Sequence, residues 1–265
     1  MSMHKHLYRI LLLSIFCSKL LFAVPITTQN ILYLDGATLL EGYFAYPTVL
    51  PNGKVPGVLL VHAWNGVGAN EKNRAEEIAR WGYAVFAIDM YGYGIRPQTI
   101  EESGRLSGMY KADRPLMRAR AKVGLDFMSN LPQVSSNAIV AAGFCFGGGV
   151  ALELARTGAP IVGVASFHGD LNTPTTGNVW IKGPVLVLHG ADDPFVTEAQ
   201  VAAFRTEMKS QKNDWKLIYI GNAVHAFTDP SAGDDPTSGA AYNADGSYFS
   251  MSMFRGFLKF TVGRK

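Results

Sequence analysis

The chain predicts an α/β fold built on a mostly parallel central sheet with helices on both faces. Three observations carry that expectation. Beyond the first two dozen residues the apolar runs are short and β-branched, as in strands buried on both faces. Stretches of helical spacing separate them, which is the alternation of a parallel sheet. The reactive residue types gather at the ends of those apolar runs, where ligands bind in an open α/β sheet.

Taken in order, Val55–Val61 reads as a strand, then a loop at Asn65-Gly66 and a helix through Asn73–Arg80. Tyr83–Ile88 is the next strand, ending at Asp89 and a Gly-rich loop. A helical pattern covers Pro115–Leu131, a strand Asn137–Ala142 and a helix Val150–Arg156. Strands follow at Ile161–Phe167, Val185–His189 and Trp215–Ile220, with helices at Glu198–Lys209 and Tyr248–Phe260. The Gly-, Asp-, Pro- and Ser-rich stretch 229–246 reads as a long surface excursion. No repeat or linker interrupts the series, so residues 24–265 are expected to form a single domain.

The formal charge is +3, with 48% hydrophobic and 17% charged residues. Those proportions suit a large core and exclude a disordered chain. Residues 1–23 hold Lys5, Arg9 and Lys19 and no acid, so the remaining body is neutral. Nothing in it calls for nucleic acid. The same segment has a basic start, an apolar run from Ile10 to Phe16 and Ala23 as a small residue for cleavage. That is the layout of a signal peptide, and export to the periplasm or the exterior is expected. The run is too short for a stable membrane span, and Lys19 interrupts it. Bulky Phe16 before Cys17 argues against lipid attachment there. Once the leader is removed, Cys145 is the one remaining cysteine. A lone thiol in an oxidising compartment suggests burial or use.

Gly143-Phe144-Cys145-Phe146-Gly147-Gly148 lies between an expected strand and helix. It matches the small-x-nucleophile-x-small elbow, with Cys in place of Ser. Small neighbours let strand and helix approach across a tight turn, and the helix N-terminus stabilises a thiolate. The Phe146 N–H is placed toward a developing oxyanion. A dinucleotide-binding loop is disfavoured, because the glycines lack G-x-G-x-x-G spacing. Asp193 follows the Val185–His189 strand and His225 follows the Trp215–Ile220 strand, giving the order nucleophile, acid, histidine. Asp192 is the rival acid; Asp193 is preferred because Asp-Pro-Phe-Val is the usual exit of that loop. The body's four histidines, His62, His168, His189 and His225, form no metal-binding pattern, so no metal or cofactor is expected.

With these motifs in hand, the chain resembles the dienelactone hydrolase family of α/β-hydrolases from about Asp35 to Leu258. The likeness is carried by the elbow, Ser166-Phe167-His168-Gly169, Leu188–Val196, Val224-His225-Ala226-Phe227, Val61–Gly66 and Asp89–Gly92. The resemblance implies Cys145 as nucleophile, His225 as its base and Asp193 as the orienting acid. It implies the Trp64 and Phe146 N–H groups as the oxyanion hole, and a small-molecule ester or lactone as substrate. Two features depart from the family. Ala63 stands where a Glu is usual, and Thr228-Asp229 stand where an arginine grips the substrate carboxylate. Arg96 lies near the place of a second such arginine. An acid at 229 repels an anionic substrate, so ester or lactone hydrolysis is expected without dienelactone being singled out. The competing readings are a non-catalytic small-molecule binder on a hydrolase scaffold and a thiol redox role. The second lacks a resolving cysteine.

Overall fold

The computed structural model describes residues 24–173 and 181–263. The expected leader, with Cys17, lies outside the described residues. Among the described residues eight strands form one sheet: β1 (Ile26–Asp35), β2 (Thr38–Pro47), β3 (Val55–Val61), β4 (Ala84–Ile88), β5 (Val134–Phe144), β6 (Gly163–Phe167), β7 (Val185–Gly190) and β8 (Trp215–Ile220). Their order is β1-β2-β4-β3-β5-β6-β7-β8. β1 and β2 are antiparallel, as are β2 and β4, and every pairing from β4 to β8 is parallel. The sheet is the mostly parallel one expected, extended by an antiparallel hairpin at one edge.

Among the described residues six helices cover it: α1 (Ala69–Arg80), α2 (Ile100–Ala112), α3 (Arg114–Ser129), α4 (Phe146–Arg156), α5 (Glu198–Ser210) and α6 (Ala244–Val262). Alternate residues of β3 explain why its sequence is continuously apolar. Leu59 and Val61 join the core shared with α2, α3, α4 and α5, while Val58 and Leu60 join the core under α1 and α6. Both faces are dry, so neither parity can be polar.

The order places the site. β3 pairs with β4 on one side and with β5 on the other, so the winding direction reverses between β3 and β5. Loops leaving neighbouring strand ends diverge at such a switch point and leave a crevice. Trp64 follows β3 there, and Cys145 follows β5. The stretch 229–246 is a surface excursion only in part: two short 3-10 turns lead into α6, which begins at Ala244.

Candidate active site

The chain turns from β5 into α4 at one residue. Cys145 takes φ 53° and ψ −119°, a conformation that L-residues rarely adopt. It is held by Cys145 N–H donating to Phe167 O at 3.0 Å and Gly148 N–H donating to Cys145 O at 3.0 Å. A Cβ on Gly143 would lie 2.1 Å from Gly147 O, and one on Gly147 would lie 2.3 Å from Val61 O. Those glycines are therefore fixed by the close approach of α4 to the strand ends. A non-glycine residue held in such a turn stores strain of about 1–3 kcal/mol.

Three expected residues meet here. His225 Nε2 lies 3.0 Å from Cys145 Sγ, and His225 Nδ1 lies 2.8 Å from Asp193 Oδ2. Asp193 is fixed through Oδ1, which accepts from the N–H groups of Phe195 (2.9 Å) and Val196 (3.3 Å). Asp192 is exposed, and its N–H donates to Ala223 O; the acid that reaches His225 is Asp193. The histidine loop bends at Asn222 and Ala226, both at φ 57°. It is pinned by His225 N–H to Gly239 O and Ala241 N–H to His225 O, each 3.0 Å.

The three groups perturb one another in opposite directions. Burial alone would raise the Cys145 thiol, but the His225 charge and hydrogen bond, the Phe146 N–H and the Lys111 ammonium bring it below its ordinary value. Burial alone would lower His225, yet the Cys145 thiolate and the Asp193 carboxylate raise it to about 10. Burial raises Asp193, and its hydrogen bond and ion pair with His225 outweigh that and lower it. A thiolate–imidazolium pair oriented by a carboxylate is the arrangement that activates a cysteine nucleophile.

His62, Asp89 and Arg96, also named from the sequence, hold the surrounding loops. His62 Nε2 accepts from Met90 N–H (3.1 Å), its Nδ1 meets Ala63 O (2.5 Å), and burial lowers it to about 4. Asp89 accepts from the N–H groups of Tyr91, Gly92 and Glu41. Arg96 donates to the carbonyls of Val67, Gly92, Ile95 and Glu41 and pairs with Glu41 and Asp89. It is a clip between loops, committed to protein acceptors. Trp64 is half-exposed, and its carbonyl accepts from Tyr91 OH at 2.9 Å.

Glu71, which sequence reasoning missed, and His168, named there without a role, support these groups. Glu71, 1% exposed, accepts from Ala63 N–H (3.2 Å) and Gly68 N–H (2.9 Å), closing the turn that carries Trp64. Its position three residues after the helix N-cap Gly68 was a readable signal. His168, at φ 39°, packs edge-on against His225 at 5.2 Å between centroids, and its Nε2 is 2.8 Å from Thr228 Oγ1. Burial, with the nearby His225 charge, holds His168 well below its ordinary value, so it is neutral beside the imidazolium.

The model of the dienelactone hydrolase family matches residues 40–255. The chain belongs to that family. Among solved structures, a dienelactone hydrolase-like promiscuous phosphotriesterase from metagenomic libraries is 38% identical, with TM-score 0.84, covering 89% of this chain and 98% of that one. A probable 2-oxo-3-(5-oxofuran-2-ylidene)propanoate lactonase of Bradyrhizobium sp. is 26% identical over 70% of this chain and 77% of its own. A putative dienelactone hydrolase from Klebsiella pneumoniae, 17% identical with TM-score 0.74, shares the fold, covering 91% of this chain and 100% of its own. As a dienelactone hydrolase family member the chain is a hydrolase acting on ester or lactone bonds, and its substrate is a small molecule. Among the described residues no helix is long and apolar enough to cross a membrane.

Proposed function

We propose that this family member cleaves a neutral carboxylic ester or lactone through a thioester on Cys145. The observation that carries the reading is the 3.0 Å Sγ–Nε2 contact joined to the opposed shifts of its two partners. The Cys145 thiolate attacks the carbonyl carbon, a C–S bond forms, and the carbonyl electron pair moves to oxygen. The Trp64 and Phe146 N–H groups hold that oxyanion. In the resting site the Phe146 N–H bonds the thiolate; once the sulfur is acylated, that donor is released for the oxygen. His225 then gives its Nε2 proton to the leaving oxygen as the C–O bond breaks. Water, losing a proton to the now neutral His225, attacks the thioester, and the acid leaves as the thiolate–imidazolium pair re-forms.

Turnover of p-nitrophenyl acetate, with an acetylated enzyme trapped by acid quench, is the expected result, and both are lost in Cys145→Ala. Undiminished turnover in that variant would exclude the thioester route. Absence of turnover in the wild type would favour a binding role for this scaffold. Export is the second part of the reading, supported by the basic, apolar and small-residue order of residues 1–23. Mass spectrometry of protein from its native host is expected to find the chain starting near Val24; an intact Met1 refutes export.

A further inference from the structure

Trp64 stands in the turn after β3, and the peptide groups of that turn are held one by one. Ala63 O accepts from Gly66 N–H at 3.2 Å and meets His62 Nδ1 at 2.5 Å. His62 Nε2 accepts from Met90 N–H at 3.1 Å. In a neutral imidazole the proton is then on Nδ1, which donates to Ala63 O. Burial lowers His62 to about 4 and so keeps the ring neutral at ordinary pH. The next carbonyl, Trp64 O, accepts from Tyr91 OH at 2.9 Å. Burial raises Tyr91, and the Cys145 thiolate raises it further, so that hydroxyl keeps its proton.

Both holds act on the N–H that lies between the two carbonyls. In a trans peptide the C=O and the following N–H point in opposite directions. Ala63 O is turned to His62 and Gly66, so Trp64 N–H is turned away from them, and it meets no acceptor among the described residues. Tyr91 fixes the peptide plane on the other side of the Trp64 Cα. With both planes held, the turn cannot rotate about Trp64. The same two rings reach Phe146, the residue after Cys145. Tyr91 stacks on the Phe146 ring, with centroids 5.9 Å apart and planes 26° from parallel, and the His62 ring lies 6.0 Å from it. The His62 and Tyr91 rings meet edge-on at 4.8 Å. The elbow also closes on this turn through its backbone, since a Cβ on Gly147 would lie 2.6 Å from His62 O. His62 and Tyr91 are both buried, where a hydrogen bond holds more firmly than in water.

We infer that His62 and Tyr91 are positioning residues for the oxyanion hole: they clamp the peptide groups on either side of Trp64 and aim its N–H at the ester oxygen. The inference rests on the hydrolytic reading above. Neither ring needs to touch the substrate to act in this way.

The test compares p-nitrophenyl acetate with its thionoester, in which sulfur replaces the carbonyl oxygen. Sulfur is a weak hydrogen-bond acceptor, so donors aimed at an oxyanion favour the oxygen ester. Tyr91→Phe removes one oxygen atom and keeps the ring. It is expected to lower kcat on the oxygen ester about tenfold with KM little changed, short of the 100-fold or more for loss of a whole oxyanion donor. The ester-to-thionoester ratio of kcat/KM is expected to shrink several-fold in the same variant. His62→Asn keeps a donor near the Nδ1 position and should retain more of that ratio than His62→Leu. Iodoacetamide alkylation of Cys145, which uses no oxyanion hole, should keep its wild-type rate in Tyr91→Phe. Ratios within one protein cancel any loss of folded enzyme. A ratio unmoved in Tyr91→Phe, no advantage of His62→Asn over His62→Leu, or alkylation slowed in step with turnover would overturn the clamp and leave the hydrolytic reading intact. Wild-type protein that turns over neither ester would overturn the hydrolytic reading, and the clamp with it.

Discussion

Removing the His225 ring tests the site at its most sensitive point. In His225→Ala, Cys145 loses the partner 3.0 Å from its sulfur, while the burial that opposes ionisation stays. A thiol at its ordinary value of about 8.5 is roughly 3% ionised at pH 7. Burial pushes it higher once His225 is gone, so 3% is an upper bound. In the intact site the thiol is lowered and His225 raised to about 10. The sign follows from each shift. The lowered thiol ionises earlier as pH rises, and the raised imidazole keeps its proton up to about pH 10. The charged pair therefore spans the interval between the lowered thiol value and about 10. Iodoacetamide alkylation at pH 7 is expected to slow in the variant, by about 30-fold where the paired thiol is fully ionised and the unpaired one at most 3%. Rates measured from pH 5 to 10 by intact mass should show the wild-type midpoint below that of the variant. Coincident profiles would refute the reasoning and make Cys145 a buried core residue.

Substitutions at two further positions probe what holds the groups in place. Glu71→Ala strands the Ala63 and Gly68 N–H donors, at about 1–3 kcal/mol each, so urea unfolding should show a loss of about 2–6 kcal/mol. Glu71→Gln, with one acceptor, should fall between; wild-type stability in Glu71→Ala would remove Glu71 from the account. Gly147→Ala puts a Cβ 2.3 Å from Val61 O where real contacts stay above about 3.0 Å, so α4 must shift about 0.7 Å from β3. A displacement of that order costs about 100-fold in kcat/KM for a positioned nucleophile, and unchanged kinetics would show that the elbow tolerates it.

The middle of the sheet was legible because β3 to β8 are short apolar runs, and that pattern has few other readings once helices separate them. The edge hairpin was not read. Leu32 and Leu34 are apolar yet exposed on β1, which blurs the period-2 pattern that marks a half-buried strand. Its turn signal was present: Asp35-Gly36, with Gly36 at φ 57°. α2 was missed for a related reason. Gly104 and Gly108 interrupt its pattern without packing on anything, although Thr99 accepts from Glu102 N–H as a readable N-cap. Cys145, Asp193 and His225 could be picked because each follows a strand whose end the fold brings to one edge. The Glu71 bond to Gly68 N–H had a local capping signal, whereas its bond to Ala63 N–H and the packing of His168 on His225 are tertiary contacts that no local pattern states.

Ala63 stands where the family resemblance implies a Glu, and the structure sharpens what a carboxylate there would do. Ala63 is 7% exposed, and its N–H is already bound to Glu71. Glu71 is itself raised, by burial first and in part by the charge of Asp229. A second carboxylate in this turn would meet Glu71 in a shielded place with no cation of its own. It would also sit on the loop facing Cys145, where a negative charge opposes ionisation of the thiol. Ala63→Glu is therefore expected to raise the thiol by about one unit and slow alkylation at pH 7 by up to about tenfold. Ala63→Gln adds nearly the same volume without charge and separates the two causes. If charge is responsible, the glutamate variant is slowed and the glutamine variant keeps the wild-type profile, with both shown folded by circular dichroism. Equal profiles in the two variants would refute the electrostatic argument, and the alanine would then be explained by the space beneath the loop alone.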